Sequence, residues 1–213
     1  MAPFQFRTKL DQTLLLGIRA KNTAELLEGI RTVPPGSIYH HTHRFLQQHS
    51  YLSPEPPNDF AYWITAMLND DALGERVSSI DILQFQNIHE LREAFIAILE
   101  EQFRSGEKMR ECIRGEEFSF MATRTFVFPT RLSADSLGEF CGMLRVVSIS
   151  SLYYHMFDAR LRLAQGENDF SRWFRDLGYP ELADAVSRLD PYNCTIEGLR
   201  ADILELAGRY AKD

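Results

Sequence analysis

The feature that most constrains this chain is that it is written twice. Asn58-Asp59-Phe60-Ala61-Tyr62-Trp63 recurs as Asn168-Asp169-Phe170-Ser171-Arg172-Trp173, and these two hexapeptides hold both tryptophans of the 213 residues. The flanking text recurs in the same order. Ser37-Ile38-Tyr39-His40-His41 answers to Ser151-Leu152-Tyr153-Tyr154-His155; Leu73, Val77, Ser78 and Asp81 answer to Leu182, Val186, Ser187 and Asp190; Ile88, Leu91 and Arg92 answer to Ile196, Leu199 and Arg200. The separation drifts only from about 114 to about 108 residues, as short loop deletions produce. An internal duplication of this period implies two similar domains, each long enough to bury a core.

Composition narrows the class. Hydrophobic residues at 45% and charged residues at 25% are ordinary for a globular protein. A net charge of −7 disfavours a nucleic acid or an anionic membrane as a large partner. No apolar run approaches the roughly 18 residues of a spanning helix. Leu14-Leu15-Leu16 is too short for a signal sequence, and the expectation is a cytoplasmic protein. Cys112, Cys141 and Cys194 are odd in number and far apart, which points to free thiols in a reducing compartment.

Each half opens on alternating apolar residues, Phe4-Gln5-Phe6-Arg7 and Phe118-Ser119-Phe120-Met121, with Thr125-Phe126-Val127-Phe128 continuing the second. The period of two predicts a short strand, or an extended arm docking on helices. Helices follow. Asn22 with Glu25, Ser136 with Glu139 and Asn87 with Glu90 have capping-box spacing. Ser37 follows the Pro34-Pro35-Gly36 turn, and Asn58 and Asp59 are both N-cap residues. Phe60, Trp63, Ile64, Met67 and Leu68 form a helical stripe that Phe170, Trp173, Phe174 and Leu177 repeat. The expected fold is mainly α: two tandem, sequence-related five-helix units with short extended leads, residues 1–104 and 118–213, joined by a linker at 105–117 and related by a pseudo-twofold axis.

Candidate chemistry concentrates in Tyr39-His40-His41-Thr42-His43. Helical spacing puts His41 on the core face and His40 with His43 on another. His41, His43 and Asp59 are the set a transition metal would take. A helix, however, cannot aim three imidazoles from four residues at one ion. The pairs His41 with Asp59 and His155 with Asp169 recur in both halves. One reading makes each a buried histidine satisfied by a helix-start carboxylate. The other makes each a catalytic dyad, the carboxylate setting the imidazole tautomer, which brings a His–Asp or metal-dependent hydrolase into view. Trp63 and Trp173 read as core residues or as stacking platforms. Arg92 and Arg200 read as partners of Asp81 and Asp190, or as anion ligands. The Ser53-Pro54-Glu55-Pro56-Pro57 loop occurs in the first half alone. A binding pocket is therefore expected there, built from Tyr39, His41, His43, Glu55, Asp59 and Trp63, with His155 and Asp169 as the second copy.

The runs Ser37-Ile38-Tyr39-His40-His41-Thr42-His43-Arg44-Phe45-Leu46 and Pro54-Glu55-Pro56-Pro57-Asn58-Asp59-Phe60-Ala61-Tyr62-Trp63 resemble the signature of an uncharacterised bacterial family known as a domain of unknown function. Its motif reads Ser-Ile-Tyr-Tyr-His-Thr-His-Arg-Phe-Leu, and this chain departs from it at His40. The resemblance spans nearly the whole chain and implies no activity, cofactor or catalytic residue. The leading expectation is a binding or accessory protein whose partner is a small molecule or another protein; a hydrolase is the alternative.

Overall fold

The computed structural model describes residues 2–45, 58–82, 84–85, 87–104, 109–159, 167–189 and 195–210. Strand β1 runs Phe4–Ala20 and is followed by α1 (Thr23–Thr32), α2 (Pro35–Tyr39), a π-helical turn (His40–Arg44), α3 (Asp59–Ala66), α4 (Asp71–Ser78) and α5 (Ile88–Arg104). Strand β2, Phe118–Ala134, opens the second series: α6 (Leu137–Leu144), α7 (Ile149–Tyr153), a second π-helical turn (Tyr154–Asp158), α8 (Asp169–Asp176), α9 (Pro180–Ser187) and α10 (Ile196–Tyr210).

The mainly α expectation with short extended leads is corrected here. Each lead is a 17-residue strand, and β1 and β2 pair with each other in a two-stranded antiparallel sheet. Strand accounts for 20% of the structure, so the pair is a principal element beside the helices. The period of two is clear at the strand starts, where Phe4 and Phe6 are buried while Gln5 and Arg7 are exposed. Further along it weakens: Leu10 and Leu15 of β1 are exposed, and residues 124–129 of β2, with Phe126, Val127 and Phe128, are exposed without a break before the alternation resumes at Thr130.

By contacts the chain divides into a unit of Asp11–Arg124, here the central unit, and a unit of Met1–Leu10 with Thr125–Asp213, here the composite unit. In the central unit Leu26, Ile30, Phe60, Ile64 and Phe95 surround Phe118 and Phe120, the first residues of β2. In the composite unit Phe140, Phe170, Phe174, Leu199 and Ile203 surround Phe4 and Phe6, the first residues of β1. Burying a phenylalanine is worth roughly 1.5–3 kcal/mol, so each strand start contributes on the order of 4 kcal/mol to the core it enters.

The helix ends follow the capping signals. Asn22 Oδ1 accepts from the Glu25 amide at 2.9 Å, and Ser136 Oγ accepts from the Glu139 amide at 3.3 Å. Each glutamate reaches back one residue beyond its cap, to the amides of Lys21 and Asp135. Pro180 stands at the first turn of α9, where its missing N–H leaves no acceptor unserved. Arg92 does a different job from the ion pair with Asp81 expected of it, and Asp190, the partner expected of Arg200, lies outside the described residues. Arg92 donates to the carbonyls of Arg31 and Val33. Arg200 donates to those of Leu144 and Val147, at 2.5 and 2.9 Å, and pairs with Glu197. Both guanidinium groups thus serve carbonyls left over at a helix C-terminus, where a cation is also favoured by the helix dipole.

Candidate functional site

The Asn-Asp dipeptide that opens α3 and α8 divides two tasks between neighbouring residues. Asn58 and Asn168 are the N-caps, each side-chain oxygen accepting at 2.8 Å from the amide three residues on. The aspartate that follows therefore keeps its carboxylate for another partner, in a helix first turn where negative charge is stabilised. Asp59 Oδ2 lies 2.6 Å from His41 Nδ1, and Asp169 Oδ2 lies 2.7 Å from His155 Nδ1.

Both imidazoles are engaged on their other edge too. The Met121 amide of β2 donates to His41 Nε2 at 2.9 Å, and the Arg7 amide of β1 donates to His155 Nε2 at 2.8 Å. An amide can only donate, so Nε2 carries the lone pair and the ring proton sits on Nδ1, directed at the aspartate. Each histidine thus joins a strand backbone to a helix start inside its own unit. Both rings are buried, His41 completely, among phenylalanines: Phe118 at 4.6 Å from His41, and Phe4 at 5.0 Å from His155, between ring centroids. A general base needs a free Nε2, and in this arrangement that lone pair is used by the backbone.

The π-helical turns make this possible. The wider turn carries three consecutive side chains inward, His40, His41 and Thr42 in one unit and Tyr154, His155 and Met156 in the other. An α-helical spacing separates His40 from His41; in the structure both turn to β2, His40 Nδ1 lying 2.8 Å from Thr123 Oγ1. Burial holds the His40 imidazole down at a pKa of about 4, and the neighbouring His41 adds to the effect. His43 stacks on Tyr39, with ring centroids 5.6 Å apart and planes within 4°, and its Nδ1 lies 3.0 Å from Thr42 Oγ1. Of the proposed metal set, His41 and Asp59 come together and His43 turns to Tyr39 and Thr42. Glu55 and its proline-rich loop lie outside the described residues. Among the described residues no group of three or more His, Cys, Asp or Glu is placed to hold a metal ion.

The tryptophans are core residues, 5% and 7% exposed, but they differ at the indole nitrogen. Trp63 Nε1 donates to the Glu116 carbonyl at 2.7 Å. Trp173 Nε1 is buried without a hydrogen-bond partner. Trp173 also lines an open cleft of about 440 Å³ in the composite unit, beside the His155–Asp169 pair, with Phe4, Arg7 and Arg172 around it. Sequence reasoning passed over Arg7, Arg172 and Asp176, which also line this cleft. The matched sequence runs carried the signal: at the matching positions the central unit has Met121, Tyr62 and Ala66.

These features define a class: a helical protein with a long strand pair, in which buried histidines, each paired with a partly exposed aspartate, accept a hydrogen bond from each strand near its start. A family model described as "Family of unknown function (DUF5752)" matches residues 1–208, and the chain belongs to that family. It is similar to the solved structure of OrfY from Thermoproteus tenax, with a TM-score of 0.83 and 33% identity over 99% of this chain and 96% of that one. No curated protein matches it. No helix among the described residues is long and apolar enough to cross a membrane.

Proposed function

We propose that this is a non-catalytic binding or accessory protein, in which His41 with Asp59 and His155 with Asp169 secure β2 and β1 to the helices. The observation that carries this reading is the saturation of both imidazoles, Nδ1 by a carboxylate and Nε2 by a strand amide. Duplication of one helical module belongs to the same proposal. It is supported by the matched sequence runs and by matched contacts: the Asn caps, the His–Asp pairs, the π-helical turns and the Arg92 and Arg200 hydrogen bonds to helix ends. A reducing, cytoplasmic setting is supported by the free thiols of Cys112 and Cys141. The net charge of −7 supports a small-molecule or protein partner over a nucleic acid.

Nitrogen-15 NMR of the histidine side chains tests the central point. His41 and His155 should both appear as the Nδ1–H tautomer, with Nε2 coupled across a hydrogen bond to the Met121 and Arg7 amides. Metal analysis after dialysis is the companion measurement. Stoichiometric zinc, iron or manganese bound through these histidines would overturn the proposal and restore the hydrolase reading.

A further inference from the structure

We propose that the composite-unit cleft binds a small zwitterion with an apolar body, an α-amino acid with an aromatic or aliphatic side chain. The inference rests on the reading of the chain as a binding protein and names the ligand class of one site. About 440 Å³ is within the range of small-molecule sites.

The lining supplies both signs of charge. Asp169, Arg172, Trp173 and Asp176 lie on one face of α8, by their spacing of three and four residues. Asp169 is engaged with His155. Among the described residues Arg7, Arg172 and Asp176 have no ion pair. Two guanidinium groups are suited to a carboxylate, which they can meet with paired N–H donors. Asp176 is suited to an ammonium group, and its charge disfavours a phosphate dianion. Phe4 and Trp173 supply the aromatic wall.

Trp173 is more than nine-tenths buried, and its Nε1 is closed off from solvent without an acceptor, whereas Trp63, its sequence counterpart, donates to the carbonyl oxygen of Glu116. The indole therefore serves the cleft as an apolar wall, and the polar recognition falls to Arg7, Arg172 and Asp176. At the matching positions the central unit has Met121, Tyr62 and Ala66 in place of the three charged residues, so the cleft chemistry belongs to the composite unit.

Isothermal titration calorimetry on the full chain tests the site, with L-phenylalanine, 3-phenylpropionate and phenethylamine as probes. Phenylalanine should bind saturably at one site, and the two analogues, each lacking one charge, should bind at least about tenfold more weakly, the equivalent of one lost charge-assisted hydrogen bond. Arg7→Gln with Arg172→Gln, and separately Asp176→Asn, should each weaken phenylalanine about tenfold. All three side chains are exposed or rim residues, so the circular dichroism spectrum and melting temperature should hold. No saturable heat with phenylalanine up to about 10 mM, equal affinity for the three probes, or unchanged affinity in the variants would overturn the site. Those outcomes leave the strand-securing role of the histidines untouched. Conversion of bound phenylalanine to a product, read by mass spectrometry, would overturn the non-catalytic reading while the site stands.

Discussion

Replacing His155 by phenylalanine isolates the hydrogen-bonding part of its role. The ring is 2% exposed and packs at 5.0 Å from Phe4 and 5.4 Å from Phe170, contacts that another aromatic ring can keep. Two hydrogen bonds are lost. The one to Asp169 is charge-assisted and worth about 1.5–3 kcal/mol; the one from the Arg7 amide is neutral and worth about 0.5–1.5 kcal/mol. The Asp169 side chain is 18% exposed, so water recovers part of its loss and the lower ends of both ranges apply. The expected cost is about 2 kcal/mol. Urea denaturation followed by tryptophan fluorescence reads the global effect. Hydrogen exchange at the Arg7 amide reads the local one, and should accelerate at least about tenfold, since 1.4 kcal/mol is a factor of ten. An unchanged urea midpoint together with unchanged exchange at Arg7 would refute the claim that the imidazole holds β1 in place.

Three further outcomes follow from the same geometry. The His40 pKa is lowered to about 4 from an ordinary 6.5, so the unfolded chain takes up a proton at a higher pH than the fold does. Stability should therefore be retained above pH 6.5 and lost as pH falls through the interval to about 4. That loss is on the order of 3 kcal/mol, and His40→Tyr, which places the residue found at Tyr154, should remove this component from urea midpoints measured across the interval. A Cβ at Gly29 would lie 2.2 Å from the buried Phe120 ring, whereas one at Gly142 meets nothing within 4 Å. Gly29→Ala should cost about 1–3 kcal/mol, and Gly142→Ala, in a helix with open space, should stabilise by about 0.5–1 kcal/mol, as shown by the direction of the melting-temperature change. Arg200→Met should cost about 2 kcal/mol in chemical denaturation, because the Leu144 and Val147 carbonyls lose their shared donor.

The contrast between the two histidine clusters shows how far sequence spacing reaches. His41 and Asp59 were legible as a pair, because both recur at matched positions and each type needs the other in a core. His40 was misplaced onto the face of His43. A five-residue π-helical turn has no separate hydropathy signature, and it turns His40 inward to Thr123. The second partner of each imidazole was out of reach altogether, because it is a backbone amide, and every residue except proline carries one. The cleft charges Arg7, Arg172 and Asp176 sit on exposed positions, where a sequence reads them as a solvated face.

By itself the sequence marked the capped helix starts at Asn22, Asn58 and Ser136, the rings at the strand starts and the His–Asp pairing. These depend on residues within a few positions of one another, or on a pattern repeated within one chain. Only the tertiary structure decided that the strands are long, that they pair, and that Phe4 and Phe6 enter the core of Phe140 and Phe170 while Phe118 and Phe120 enter that of Phe60 and Phe95. The physical reason lies in the likeness of the matched sequence runs. Two cores lined by similar residues offer much the same slot to two similar Phe-x-Phe segments, and alternation states only that these rings turn inward. Which core receives them depends on contacts between residues more than 130 positions apart for β1, and on strand pairing that no local pattern encodes.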